Sequence, residues 1–282
     1  MRWLVTGASG MLGTDLVDRL GAEHEVRATA REDLDVTDPA AVPAAVRDVD
    51  VVVNCAAWTA VDDAEAQEPD AFTLNAVAPQ LLARAAAAAG ARMVQVSTDY
   101  VFDGHAAAPY PEDASLAPAS AYGRTKAAGE WSVRAEAPDH LIVRTAWLYG
   151  AHGPCFPRTM ARLAGEREEL TVVADQVGQP TWTVDVADLL VRLVEAAAPA
   201  GTYHATSAGQ VSWHGFAQAV VASAGKDPAM VRETTSAAFV RPAPRPSYSV
   251  LGHGALARAG VAPIGDWRAR WDAAAPTVLA PA

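Results

Sequence analysis

The chain has 282 residues, of which 51% are hydrophobic and 20% are charged. This length supplies one large domain or two small ones, with enough apolar material for a core. Acidic side chains outnumber basic ones by 33 to 22, and the resulting net charge of −11 disfavours a nucleic-acid partner or an anionic membrane surface. Only Lys126 and Lys226 are lysines, a scarcity typical of a G+C-rich genome, so each invites a chemical explanation.

Cysteine content and the start of the sequence indicate where the protein works. Cys55 and Cys155 are too few for a disulfide framework, which fits a reducing cytosol. The chain starts without the charged and apolar segments of a signal peptide, and no apolar run reaches the ~18 residues of a spanning helix. The seven histidines form neither an i,i+4 pair nor a cluster with cysteine, so no metal site is expected. We therefore expect a cytoplasmic protein without membrane contact.

Short apolar runs alternate with amphipathic stretches of helical length through the first half of the chain. The predicted strands span Arg2–Thr6, 25–30, Val51–Asn54, 92–97 and 141–146, and the predicted helices span 11–20, 39–47, 69–89 and 120–136. Asp38 and Pro39 are typical of a helix start, and Gly21 and Gly90 of the residue just after a helix end. Apolar strands that alternate with helices indicate a parallel sheet covered on both faces.

After about residue 150 the alternation becomes less regular. We predict helices over 158–167 and 184–198, strands over 170–174 and 201–205, and a proline-rich surface loop over 240–246. The fold class is therefore α/β, a Rossmann-type doubly wound parallel sheet with a smaller C-terminal region. We expect that region to pack on the carboxyl ends of the strands, where ligands bind in open α/β sheets.

A glycine-rich loop directly follows the first predicted strand and opens the first helix. Its G-x-x-G-x-x-G pattern consists of Gly7, Gly10 and Gly13. Glycine permits a tight turn and lets backbone N–H groups approach a pyrophosphate, and the helix N-terminus favours the negative charge. The pattern predicts a dinucleotide site, with an ordinary glycine-rich turn as the alternative.

The end of the second predicted strand indicates which dinucleotide is bound. NAD-binding proteins place an Asp or Glu there to hold the ribose 2′-hydroxyl, whereas Arg31 follows the strand here. A cation suits a 2′-phosphate, so NADPH is favoured. Glu32 or Asp33 could still reach the ribose, and NADH therefore stays an alternative.

Tyr122 and Lys126 have the spacing Y-x-x-x-K near the start of a predicted helix. This spacing puts the phenol and the ammonium on one helix face. A neighbouring cation moves the pKa of a phenol toward neutrality, which suits a proton donor to a developing alkoxide. The pattern is loose, but one of only two lysines occupies it. Thr98 follows a predicted strand and could hydrogen-bond the same substrate oxygen, unless the cluster of Ser, Thr and Asp there only forms a turn.

These motifs resemble those of an extended short-chain dehydrogenase/reductase. More narrowly, the chain resembles the dTDP-4-dehydrorhamnose reductase family from residue 1 to about residue 272. The most specific shared blocks are STDYVFDG at 97–104 and DQVGQPT at 175–181. Further matching segments lie at 35–38, 54–62, 144–150 and 245–251.

The resemblance implies roles for individual positions in binding and catalysis. The cofactor would be held at Gly7, Gly10, Met11 and Leu12 (pyrophosphate), Arg31 (adenosine phosphate), Asp35 and Val36 (adenine), and Ala56, Ala57, Trp58 and Thr59, together with Tyr122 and Lys126. The catalytic residues would be Thr98, Tyr122 and Lys126. The deoxysugar would contact Thr98, Asp99, Tyr100, Tyr122 and Trp147.

The resemblance also implies a reaction. Members of this family reduce the C4 ketone of a dTDP-linked 4-keto-6-deoxy-L-sugar with NADPH, giving dTDP-L-rhamnose. Tyr122 would protonate the oxyanion, Thr98 would polarise the carbonyl, and Lys126 would bind the nicotinamide ribose and tune Tyr122. We assign 1–150 to an NADP-binding domain and 151–282 mainly to a substrate-binding α/β cap. The helix at about 183–198 and the strand after it are candidates to return to the first domain, and we expect a monomer or a homodimer.

Some positions depart from the family pattern and leave alternatives open. The family usually has Asn where Cys155 stands, a β-branched residue at Pro157 and Asp at Gly252. A related dTDP-4-ketohexose or streptose-type 4-ketoreductase of antibiotic deoxysugar biosynthesis therefore fits almost as well. A non-catalytic NADP-binding regulatory subunit is less favoured, because the catalytic set is intact. A nucleotide-sugar epimerase or dehydratase is another alternative, although a dehydratase would need a second acid beside Asp99.

Overall fold

A computed structural model of the chain describes residues 1–280. Its strands are β1 (Arg2–Thr6), β2 (Glu25–Thr29), β3 (Val51–Asn54), β4 (Arg92–Thr98), β5 (His140–Thr145), β6 (Leu148–Tyr149), β7 (Leu170–Val173), β8 (Val177–Gly178), β9 (Thr181–Trp182), β10 (Gly201–His204), β11 (Val211–Ser212) and β12 (Val231–Thr234). Six of them form one parallel sheet in the order β2-β1-β3-β4-β5-β10.

Helices cover both faces of this sheet, which confirms the predicted doubly wound α/β fold. They are α1 (Met11–Gly21), α2 (Ala41–Ala45), α3 (Asp63–Ala66), α4 (Glu68–Phe72), α5 (Ala78–Ala89), α6 (Ala121–Glu136), α7 (Phe156–Glu166), α8 (Thr183–Glu195), α9 (Trp213–Ser223), α10 (Gly254–Arg258) and α11 (Trp267–Val278). A π-helical turn (Thr73–Val77) joins α4 to α5, and 3-10 turns occupy Asp99–Val101, Pro228–Met230 and Ser236–Ala238. Among residues 1–280, each helix is too short or too polar to span a lipid bilayer.

The two faces of the sheet bury alternate residues of each strand, because successive side chains of a strand point to opposite sides. Trp3 and Val5 of β1 pack in a core that includes residues of α1, α8 and α10. Leu4 packs on the other side in a core that includes residues of α2, α5 and α6. The inner strands β1 and β3 are almost continuously apolar for this reason, whereas β2 at the edge of the sheet has exposed Glu25 and Arg27.

The predicted helix over 69–89 forms one continuous helical stretch, which contains a π-helical turn that the sequence pattern did not predict. Pro79 lacks the N–H that would bond the Asn75 carbonyl, and its ring would clash with that carbonyl in a regular α-helix. The N–H of Ala78 bonds the carbonyl of Thr73 instead, in the wider π pattern. The displaced Asn75 carbonyl lies against Gly129 of α6, where a Cβ atom would be 2.1 Å from the oxygen.

Helix ends also differ in detail from the prediction. Gly90 adopts φ +68° as the left-handed cap of α5, as predicted, whereas Gly21 is the last residue inside α1. The side chain of Asp38 accepts the N–H of Ala40 and caps a turn, so α2 begins two residues after the predicted start. This helix has 5 residues, and after it the chain changes direction at Asp48, whose φ of +58° is left-handed.

The C-terminal half consists of short two-stranded sheets and helices packed beside the large sheet. β8 pairs with β11, β7 with β12, and β6 with β9. Aromatic side chains of Tyr149, Phe216 and Trp271 form much of its core. Strand β10 joins the large sheet beside β5, and α8 packs in the same core as α1.

Candidate active site

The glycine loop lies at the carboxyl ends of β1 and β3, where the strand order reverses and α/β sheets bind ligands. Gly7 adopts φ +66°, and a Cβ atom there would lie 2.6 Å from the Ala56 nitrogen. A Cβ atom at Gly13 would lie 2.2 Å from the Gly7 oxygen. Gly10, at the N-cap of α1, has no side chain to bond the first N–H groups of the helix. The loop is therefore a close-packed backbone cradle of the kind that fits a pyrophosphate.

The residues predicted to hold the adenosine follow β2, beside this cradle. The N–H of Ala8 in the loop bonds the carbonyl of Thr29, which ends β2, so Arg31 follows close to the loop. Arg31 is exposed, and Asp33 accepts the N–H of Ala30 as the cap of the turn. The carboxylate of Asp35 accepts both the N–H and the hydroxyl of Thr37, and these bonds lower the pKa of Asp35.

Val36 behaves differently from its neighbour Asp35, although both were predicted to line the adenine pocket. Asp35 is exposed, whereas Val36 is 7% exposed and packs in the core with Leu34 and Val52. The Val36 side chain therefore anchors the turn after β2 to the hydrophobic core.

The segment after β3, predicted to line the cofactor, is fixed by two buried asparagines. Asn54 accepts the Thr6 hydroxyl at 2.7 Å and the N–H of Ala56 at 3.1 Å, and donates to Gln95 at 2.9 Å. Its side chain thereby connects β1, β3 and β4 at their carboxyl ends. Ala56, Ala57 and Trp58 are half-buried, and Thr59 is exposed.

Asn75 of the π-helical turn connects this segment to helix α6. Its amide accepts the N–H of Trp58 at 2.9 Å and donates to the Trp58 carbonyl and to the hydroxyl of Thr125. Thr125 precedes Lys126 on α6. Asn75 therefore supports the cofactor-lining segment, and its position depends on the turn that Pro79 causes.

Thr98, Asp99 and Tyr122 lie together at the carboxyl end of β4. Thr98 is its last residue, and its hydroxyl donates to Asp99 at 2.9 Å. Helix α6 begins at Ala121 because the Ser120 hydroxyl caps it, so Tyr122 occupies the first turn. The phenol of Tyr122 is next to the hydroxyl of Thr98, which lowers its pKa, and near the carboxylate of Asp99.

The acidity of Tyr122 differs from the prediction. Burial raises the pKa of Tyr122 to about 12, and the Thr98 hydroxyl offsets only part of that rise. The ammonium of Lys126 does not bring the phenol toward neutrality, because it donates to the Val96 carbonyl at 2.7 Å. Burial in turn lowers the pKa of Lys126 to about 8. Tyr122 is consequently a protonated phenol across the neutral pH range.

Asp99 and Tyr100 complete the polar side of the site. Asp99 is 3% exposed, and one of its carboxylate oxygens is buried without a partner among the described residues. Burial raises the pKa of Asp99 to about 6, and the neighbouring hydroxyls of Ser249 and Thr98 oppose the rise. The ring of Tyr100 meets that of Tyr122 edge to face, with centroids 5.5 Å apart.

Trp147 lies at the same end of the sheet but is covered by another tryptophan. Thr145, which ends β5, pairs in register with Thr98, and Trp147 follows two residues later. Its indole stacks on that of Trp213 with centroids 3.5 Å apart, and Gly178 leaves room for the ring. Trp147 has φ +47°, a strained value for a side chain of this size.

Three residues that border the site are outside the predicted set of site residues. Ser249 reaches Asp99 from the C-terminal half, and Trp213 covers one side of Trp147. Arg245, in the proline-rich loop, forms an ion pair of 2.9 Å with Asp62. The loop over 240–246 is irregular, as predicted, but this ion pair anchors it. The three residues lie far along the chain from the strands they meet, and local patterns do not signal such contacts.

Among residues 1–280, one group of side chains could hold a metal ion, and it lies elsewhere. Glu23, His24 and Glu195 place three possible ligand atoms within 4.8 Å of one another. The first two precede β2, at the amino end of the strands. This group therefore lies at the opposite end of the strands from the candidate active site.

Comparison with known proteins gives full-length matches. The model of the RmlD substrate binding domain matches residues 1–279. A dTDP-4-dehydrorhamnose reductase of Streptomyces griseus is 52% identical, over 95% of this chain and 91% of its own length. A probable dTDP-4,6-dihydroxy-2-methyloxan-3-one 4-ketoreductase of Streptomyces antibioticus is 50% identical, over 99% of this chain and 96% of its own.

A solved structure also matches this fold over almost the whole chain. The crystal structure of dTDP-4-dehydrorhamnose reductase from Bacillus anthracis, in complex with NADP, has a TM-score of 0.93 and 36% identity. The match covers 97% of this chain and 98% of that one. The family resemblance that the motifs at 97–104 and 175–181 predicted is thus confirmed. The chain belongs to the RmlD substrate binding domain family, together with the dTDP-4-dehydrorhamnose reductases.

Proposed function

We propose that this protein is an NADPH-dependent reductase of the C4 ketone of a dTDP-linked 4-keto-6-deoxy sugar. The observation that carries the proposal is the meeting of Thr98 and Tyr122 at the carboxyl end of β4, with Lys126 one helical turn further along α6. A hydroxyl, a protonated phenol and an ammonium in one buried place are what carbonyl reduction requires from a protein. The relatives named as reductases of such sugars support the substrate class.

The residues present fit a bound dinucleotide. The glycine cradle, in which even a methyl group at Gly7 would collide with Ala56, accepts a pyrophosphate against the N-terminus of α1. The segment of Ala56, Ala57 and Trp58 would line the nicotinamide end. When bound, the nicotinamide supplies a hydride to the C4 carbon of the sugar.

Tyr122 is the group that supplies the proton. With a pKa of about 12 it is protonated at neutral pH, and it is still a stronger acid than the alcohol that forms. Its proton would pass to the C4 oxygen, and the phenolate would then regain a proton from solvent. Thr98 holds its hydroxyl beside the phenol and would orient the same oxygen, while the Lys126 ammonium would bind the ribose.

The preference for NADPH rests on the turn after β2. Asp33 caps that turn through the N–H of Ala30, whereas the exposed guanidinium of Arg31 can approach a 2′-phosphate. The NADP complex of the Bacillus anthracis relative supports this choice over NADH. We further propose that residues 1–150 hold the cofactor and that residues after 150 mainly hold the sugar nucleotide.

The identity of the sugar is a separate part of the proposal. We propose dTDP-4-dehydrorhamnose, giving dTDP-L-rhamnose, as the first substrate to test. A 4-ketoreductase of another deoxysugar is the second candidate, because two relatives of 52% and 50% identity carry different substrate names. Cys155 and Gly252, which depart from the usual family residues, are compatible with such a difference.

The test is NADPH oxidation in the presence of a dTDP-4-keto-6-deoxy-L-hexose, with the product identified by NMR for a panel of dTDP-ketosugars. Tyr122→Phe is expected to lower kcat by on the order of 10²-fold or more, the scale of losing a general acid. Tyr203→Phe is the matched control, since this buried phenol bonds the Pro199 carbonyl at 2.8 Å, away from the site. Near-normal turnover of Tyr122→Phe, or no turnover by the unaltered protein, would contradict the proposal.

A further inference from the structure

A buried carboxylate lies one helical turn beyond Lys126 on α6. Glu130 is fully buried and accepts both the Nε and an Nη group of Arg144, each at 2.8 Å. It also accepts the Ser97 hydroxyl at 2.7 Å and Arg134 at 3.0 Å. Every donor to Glu130 is thus supplied by β4, β5 or its own helix, and the carboxylate is held rigidly.

This cluster contains more positive than negative charge. Arg144 is 1% exposed, and its guanidinium also contacts the Glu112 carbonyl, the ring of His204 and the ring of Phe102. His204 is neutral, because burial first and Arg144 second lower its pKa to about 3. Glu130 is therefore the carboxylate that balances Arg144 in this core.

The surroundings of Lys126 are otherwise poor in negative charge. Within the described chain, the ionisable groups that act on its ammonium are Glu130, on the same helix, and the thiol of Cys55 after β3. Burial raises the pKa of Cys55 to about 12, so this thiol is neutral. Tyr122, one turn earlier on α6, is neutral too, and β4 contributes the Val96 carbonyl.

We propose that Glu130 is a positioning residue of the active site, whose buried carboxylate keeps Lys126 an ammonium at the end of β4. Residues four apart on a helix are neighbours, and an opposite charge at that range favours the charged form of a lysine. Burial of Lys126 acts against its charge, and the carboxylate of Glu130 opposes this effect. Because Glu130 also accepts the Ser97 hydroxyl, it ties α6 to the strand residue that precedes Thr98.

The inference rests on the proposed function in one respect: a charged Lys126 binds the ribose of a cofactor only if the protein is the proposed reductase. A neutral amine would still donate to the Val96 carbonyl but would bind a ribose less strongly and could not act as a cation. The protonation state of Lys126 can be measured without any reaction, which keeps the two proposals separate.

The chain offers an unusually clean measurement, because it has two lysines. Protein labelled with ¹³C and ¹⁵N in lysine alone should give two side-chain NMR signals, and the exposed Lys226 serves as the internal reference. We expect the Lys126 signal to titrate above pH 7 in the unaltered protein. In Glu130→Gln the midpoint of Lys126 should fall by about one pH unit or more.

Four further variants make the result decisive. Glu130→Asp keeps the charge and should keep the Lys126 midpoint close to its original value. Glu136→Gln removes a carboxylate of the same helix that binds Arg84 on the surface, and it should change nothing at Lys126. If Glu130→Gln does not fold, Glu130→Gln/Arg144→Gln is compared with Arg144→Gln, because the double change removes both partners of the buried pair.

The outcomes separate clearly. A fall of the Lys126 midpoint on removal of Glu130 in either background supports the inference. An unchanged midpoint in folded protein, or a midpoint below pH 7 before any substitution, overturns it. NADPH binding followed by fluorescence, measured on the same variants, should weaken at pH 7.5 by about tenfold in Glu130→Gln. Retained NADPH affinity despite a lowered midpoint would instead contradict the role proposed for Lys126 in the enzyme.

Discussion

Gly123 should be intolerant of even one added methyl group. It follows Tyr122 on α6, and a Cβ atom there would lie 2.2 Å from the Tyr100 carbonyl oxygen and 3.0 Å from a carbon of Pro118. Ordinary contact begins near 3.4 Å, so Gly123→Ala forces the helix and the 3-10 turn apart by roughly 1 Å. The Tyr100 carbonyl belongs to the turn that directly follows Thr98, and the displacement therefore separates Thr98 from Tyr122.

The expected magnitudes follow from this displacement. A misplacement of about 1 Å among catalytic groups costs on the order of 10²-fold in rate. Overpacking costs about 1–3 kcal/mol, against a gain of up to about 1 kcal/mol from replacing glycine by alanine in a helix. We therefore expect Gly123→Ala to lose stability by about 1–2 kcal/mol and kcat by about 10²-fold.

Gly165→Ala is the matched control for this substitution. Gly165 is also helical, in α7, and nothing lies within 4 Å of the position its Cβ atom would take. Alanine there should stabilise the protein by up to about 1 kcal/mol and leave turnover unchanged. Urea denaturation and NADPH oxidation measure both quantities. If Gly123→Ala matched Gly165→Ala in both assays, the close packing of α6 on the Tyr100 turn could not be what aligns the site.

Three other substitutions test separate parts of the site. Arg31→Ser should raise the KM for NADPH by about tenfold and leave that for NADH unchanged, whereas an equal rise for both would remove Arg31 from the phosphate site. Trp147→Ala should raise the KM for the sugar nucleotide more than it weakens NADPH binding, and equal losses would place the indole elsewhere. Asp99→Asn should stabilise the protein by about 2–3 kcal/mol at pH 8 and lose this advantage near pH 4. The sign follows from burial, which raises the pKa of Asp99 from 3.8 to about 6, so that native stability falls as pH rises through this interval. A stability difference independent of pH, measured by denaturation at both values, would show that Asp99 is not held at a raised pKa.

The sheet and the motifs could be predicted because their signals are local. Strand β1 presents Trp3 and Val5 to one core and Leu4 to the other, and such two-sided burial makes the apolar runs nearly continuous. The glycine loop and the Tyr122–Lys126 pair are similarly compact in sequence. The residues of each of these two motifs lie within a single turn or a single helix.

The acidity of the site could not be predicted in this way. The i,i+4 spacing correctly put Lys126 one turn after Tyr122, but it did not reveal that the ammonium bonds the Val96 carbonyl of another element. The raised pKa of Tyr122 comes from burial beneath the segments of Trp58 and Tyr100, which pack in the same apolar cluster. Such effects depend on tertiary contacts, and a pattern within one helix contains no information on them.

Helix α6 connects the parts of the site, and its two glycines explain how it does so. Gly123 lies against the carbonyl of Tyr100, and Gly129 lies against the carbonyl of Asn75. The first contact sets the helix against the residues that follow Thr98. The second sets it against the π-helical turn, whose Asn75 side chain holds both the N–H and the carbonyl of Trp58. A shift of α6 at either glycine would therefore change the distance between the phenol of Tyr122 and the segment of Trp58, so the two predicted parts of the site are geometrically coupled through one helix.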